Sequence, residues 1–71
     1  MVKEELLREC VALTCFLENI KLNNRQKMAR IAKELSRFSV EELTLYYDIH
    51  LLMKQIRMQQ LMKQITLEKK G

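Results

Sequence analysis

Apolar residues recur along this chain at helical intervals almost from end to end. Over residues 2–20, Val2, Leu6, Cys10, Leu13, Leu17 and Ile20 form a seam whose spacings alternate between four and three after the first step. That period predicts an amphipathic helix. Leu7, Val11, Ala12, Cys15 and Phe16 widen the stripe, so the middle of this helix needs cover on more than one side and should be the central packing element. Over residues 24–37 a compact stripe of Met28, Ile31, Ala32 and Leu35 opposes Arg30, Lys33 and Arg37, the pattern of a second, cleanly two-faced helix. The break between the two is expected at Lys21-Leu22-Asn23-Asn24, because Asn tolerates the left-handed conformation at a helix end and can cap the next helix. Two caps are available there, Asn24 with Lys27 or Asn23 with Gln26, and the second has the form of a capping box. So short a turn favours an antiparallel hairpin.

The strongest local signal is Phe38-Ser39-Val40-Glu41-Glu42-Leu43. Ser39 can accept from the Glu42 amide, Glu42 can reach back to the Ser39 amide, and Phe38 can pack on Leu43, a capping box with a hydrophobic staple. Neither Gly nor Pro follows before residue 71, so a third helix over about residues 40–68 is expected. On a wheel of 100° per residue it carries two apolar faces. One holds Val40, Leu43, Tyr47, Leu51, Met58, Leu61, Met62 and Ile65, interrupted by Lys54, and the other holds Leu45, Ile49, Leu52 and Ile56. At 1.5 Å per residue the third helix would reach roughly 46 Å, against about 28 Å and 21 Å for the first two, so its last turns outrun them unless it bends near Gln59 and Gln60. In a lone three-helix chain, Met58, Leu61, Met62, Ile65 and much of the Leu45 face would then lie in water.

Length and composition narrow the picture. With 71 residues, no Pro, no Trp and one Gly, the chain is expected to be a single all-α domain, three helices with a long C-terminal one. A core of this size gives only a few kcal/mol, and self-association into a helical dimer would help. The longest apolar run, residues 11–17, falls far short of the ~18 residues of a bilayer span, and the early glutamates oppose a leader, so a cytoplasmic protein is expected. Cys10 and Cys15 lie roughly 140° apart on one helix and read as small apolar residues of a reduced protein.

Charge is blocked. Residues 1–20 carry a net −2, 21–35 a net +4, 36–50 a net −2 and 51–71 a net +4, giving the overall +4. Blocks of this kind can set the orientation of neighbouring helices or of two copies. No catalytic, cofactor-binding or metal-binding constellation is present in the sequence. The single histidine, His50, has no nucleophile at helical spacing and reads as a boundary residue beside Tyr46. Of the two tyrosines, Tyr47 is expected in the core and Tyr46 at the surface, as an anchor of the kind enriched at interfaces.

Residues 31–44, with Ile31, Ala32, Leu35, Ser39 and Leu43 as key positions, resemble the helix-turn-helix segment of bacterial and phage repressors. Ser36 stands where that pattern commonly has Gly, the turn is one residue longer, and Glu41 and Glu42 open what would be the recognition helix. The resemblance implies a DNA-binding regulator, but those carboxylates would face the phosphates.

Two functional expectations result. The first is a small non-enzymatic regulator, of the sort found in bacterial, plasmid or phage settings, that binds another protein or itself through the third helix. Leu45, Ile49, Leu52 and Ile56 would be the contact stripe, Met58, Leu61, Met62 and Ile65 its extension, and Arg57 and Lys63 the orienting charges. The alternative is a dimer that binds DNA or RNA through Arg25, Lys27, Arg30, Lys33 and Arg37. Basic residues also accompany the apolar ones late in the third helix, but without Trp or Phe there a membrane surface is the weaker match.

Overall fold

A computed structural model describes residues 2–21 and 23–70, the side chains of residues 66–70 excepted. The described residues form three helices and no strand: α1 (Lys3–Leu17), α2 (Arg25–Leu35) and α3 (Val40–Lys70). The all-helical reading holds, and several of the expected boundaries move.

The first helix ends three residues earlier than its apolar seam suggests. Asn19, not Asn23 or Asn24, takes the left-handed conformation, with φ 56°. The Asn19 amide donates to the Phe16 carbonyl at 3.3 Å and the Ile20 amide to the Cys15 carbonyl at 2.9 Å. This paired closure is a Schellman motif, and Ile20, expected to be helical, is instead the residue that returns to pack against the core. Second, Asn24 rather than Asn23 caps α2: its side-chain oxygen accepts from the Lys27 amide at 3.3 Å. The Asn23-Gln26 capping box is therefore not the one used. Leu22 lies outside the described residues. The helix finishes at Leu35, two residues short of the expected Arg37, where the Ser36 hydroxyl donates to the Lys33 carbonyl at 2.6 Å.

At the third helix the predicted cap forms as read. The Ser39 amide donates to a Glu42 carboxylate oxygen at 3.0 Å and the Glu42 amide to the Ser39 hydroxyl at 3.2 Å. The Ser39 amide, and after it the Ser39 side chain, favours the ionised carboxylate and holds the Glu42 pKa below its ordinary value. Phe38 packs against the cluster that contains Leu43. From there α3 continues past Gln59 and Gln60 without a break for 31 residues.

The first helix is the hub. Both α2 and α3 pack on α1 rather than on each other. Leu6, Cys10, Val11 and Cys15 of α1 meet Leu35 and Leu43 in one buried cluster, with Leu7, Met28, Ile31, Ala32, Phe38, Tyr46 and Tyr47 around it. The α1 and α3 axes run in the same direction, since Cys10 lies at Leu43, Thr14 at Tyr46 and the end of α1 at Arg57. Hence α3 continues beyond α1 from about residue 58. The resulting shape measures 48 × 26 × 15 Å, and its radius of gyration of 14.6 Å exceeds the ~11 Å of a compact chain of this length.

Candidate interaction surface

Which side of α3 faces α1 is decided by Leu43, fully buried, and by the half-buried Tyr46, Tyr47, His50, Leu51, Lys54 and Arg57. Their spacing rotates the contact toward Tyr46, against the expectation that Tyr46 would be a surface anchor. The cause is a partner on another helix. The Thr14 hydroxyl donates to the Cys10 carbonyl at 2.8 Å, so it accepts from the Tyr46 hydroxyl, which bonds to it directly. The Tyr46 ring meets Phe38 edge-on at 6.1 Å and stacks on His50 at 3.7 Å. His50 also bonds through Nδ1 to the Tyr46 carbonyl at 2.8 Å. The cluster is thus a packed polar seam between α1 and α3.

Arg57, expected as an orienting charge for a partner, is engaged within the chain. Its guanidinium donates to the carbonyls of Leu17 at 2.7 Å and Phe16 at 3.4 Å. The last turn of α1 has no basic residue of its own, and Arg57 places a cation against its exposed carbonyl end. Lys54, the interruption in the longer apolar face, sits over the Phe16 ring with Nζ 5.2 Å from the centroid. Neither role is visible in sequence, because each joins positions about 40 residues apart.

Much of the remaining surface of α3 is apolar and wet. Leu45, Ile49, Leu52, Met53, Ile56, Met58, Leu61, Met62 and Ile65 are between 47% and 65% exposed. Two rows can be separated. The first, Leu45, Ile49, Leu52 and Ile56, lies roughly 145° around the helix from the α1 contact, on the outer edge of the molecule. The second, Met58, Leu61, Met62 and Ile65, continues nearly the same side as the α1 contact, past the point where α1 stops. Lys63 is exposed too, but roughly 150° around the helix from this second row and in line with the first. The chain's accessible surface is 6058 Å², about 1,400 Å² above the ~4,650 Å² expected of a compact 8.5 kDa monomer.

The cations named for nucleic acid, Arg25, Lys27, Arg30, Lys33 and Arg37, are all exposed on or just after α2. A depression of about 510 Å³ reaches Lys27 and Arg30, but Glu18 lines it too, with Ile20 and Ile31. At the helix-turn-helix-like segment the Glu42 carboxylate closes the start of α3, where a recognition helix would meet phosphates.

Cys10 and Cys15 are free thiols in the core. Burial, then the nearby Glu9 for Cys10 and Glu18 for Cys15, raises both pKa values and keeps the thiols protonated. Among the described residues no group of three or more His, Cys, Asp or Glu is placed to hold a metal ion, and no helix is long and apolar enough to cross a membrane. Comparison with protein families, curated proteins and solved structures finds no match for the chain.

Proposed function

We propose that this chain is a small non-enzymatic regulator of the cytoplasm that acts by occupying a surface on another protein through α3. One observation carries the reading: nine large apolar side chains on one helix are about half exposed or more. Surface of that kind and extent usually marks a contact with another chain. The row Met58, Leu61, Met62 and Ile65 fits the use best, because it stands clear of the core on a rigid helix and its methionines adapt to a groove.

The test compares capture from a host lysate, split into nuclease-treated and untreated halves and washed at moderate salt, by the tagged wild-type chain and by its Leu61→Asp variant. The expected result is one protein retained in near-stoichiometric amount by the wild type and lost by the variant. Retention of nucleic acid alone would overturn the reading in favour of a dimeric DNA- or RNA-binding regulator, a role in transcription included. What favours that second reading is the set of five exposed cations on and after α2. Its signature is an affinity that falls steeply with salt and drops with each of them changed to Ala.

A further inference from the structure

The outer row of α3 has the spacing of a helix-pairing seam. Glu42, Leu45, Ile49, Leu52, Ile56, Gln59 and Lys63 follow one another at intervals of three and four without exception, the 3.5-residue period of a coiled-coil seam. The four central members are apolar and exposed, and they read the same in both directions: gaps of four, three and four about a centre between Ile49 and Leu52. A two-fold axis at that centre brings Leu45 onto Ile56 of a second copy and Ile49 onto Leu52.

We propose that a second copy of this chain covers this row, with the two α3 helices antiparallel. The charges at the ends of the seam fix the direction. In a parallel pair Glu42 would face Glu42, and Lys63 would face Lys63. In the antiparallel pair Glu42 faces Gln59, and Lys63 lies one turn from Glu41 and Glu42 of the other copy. Side chains tilt toward the N-terminus of their own helix, so Lys63 and Glu41 lean toward each other across this interface. On a larger scale the net −2 segment 36–50 lies along residues 51–65 of the other copy, which carry a net +3.

Geometry and area both allow it. The row points away from α1, so a second α3 can approach without displacing α1 or α2, and the dimer becomes a sheet of helices with the α3 pair in the middle. The four apolar side chains of the row are 49–62% exposed and so have area to bury against a second copy. The row at Met58, Leu61 and Ile65 lies on another side of α3 and stays outside the pair. This inference deepens the reading of α3 as a binding helix and rests on it for the surface, but it needs no foreign partner. It is tested on the purified chain alone.

Sedimentation equilibrium should give a mass that saturates at two copies. Ile49→Asp, a change at an exposed position remote from the core, should keep its helical circular dichroism and weaken dimerisation by about 100-fold, since two carboxylates would meet near the axis. Lys63→Glu should weaken it about tenfold, because the contact occurs twice, and Glu41→Lys combined with Lys63→Glu should restore most of the loss. Oxidation should cross-link an equimolar mixture of Leu45→Cys and Ile56→Cys chains to each other and leave Leu45→Cys alone uncrosslinked. A monomer at every concentration, a mass that climbs past two, a dimer indifferent to Ile49→Asp, or ready cross-linking of Leu45→Cys to itself would each overturn the proposal. None of these outcomes bears on lysate capture through Leu61.

Discussion

The two halves of α3 share one unbroken helix and live under different physics. From residue 43 to 57 the helix is held by another element at nearly every turn: Leu43 is sealed in the core, Tyr46 bonds to Thr14, Lys54 covers Phe16 and Arg57 closes the end of α1. From residue 58 to 65 the residues are exposed, although half of them are large and apolar. The difference lies in the length of α1, which stops level with Arg57. Apolar content therefore does not by itself place a residue inside; what matters is whether the chain supplies a surface at that height. Where it does not, the helix is left with an adhesive face.

The contrast is most sharply broken by paired truncations. Leu43→Ala empties a fully buried site and should cost about 2–5 kcal/mol, read as a lowered urea midpoint, whereas Leu61→Ala should stay within roughly 0.5 kcal/mol. Equal losses at the two sites would mean that residues 58–65 are covered in the isolated chain. A smaller effect tests the boundary itself. Arg57→Met keeps the stem and removes the donors to Phe16 and Leu17, and should cost about 1–2 kcal/mol, with faster amide exchange at the end of α1.

Smallest is the change at the start of the helix. Ser39→Ala should cost about 1 kcal/mol at neutral pH, measured by denaturant titration. Because folding lowers the Glu42 pKa, the contribution of Glu42 is present above the unfolded pKa and is lost as pH falls through the lower folded value. The fall in stability of the wild type below about pH 4 should accordingly be shallower in the variant, whose Glu42 has lost one of the bonds that favour ionisation.

Features decided within a few residues were legible in the sequence. The Ser39–Glu42 cap, the three helices, the central role of α1 and the exposure of the late apolar residues all follow from local spacing and helix lengths. What escaped depended on distant partners. Asn19, Asn23 and Asn24 have similar tolerance for a left-handed turn, and the choice fell to Asn19 because Ile20 can then return to the core. Tyr46 and Tyr47 are equivalent by composition; a hydroxyl on Thr14, 32 positions away, turned the first inward. For Arg57 the deciding groups were two backbone carbonyls that no residue type reveals.

The hub position of α1 also orders events in time. Its α2 side can be covered by a hairpin that closes across residues 18–24, whereas its other side waits for contacts such as Cys10 with Leu43, 33 residues apart. Local closures form early and distant ones later, because bringing the ends of a longer loop together costs more entropy. Docking of α3 is then the rate-limiting encounter, and Cys10, Thr14 and Cys15 remain bare on one side until it happens. On a translating ribosome the first helix is made first and completed last, and it stays open to solvent until Arg57 has left the exit tunnel.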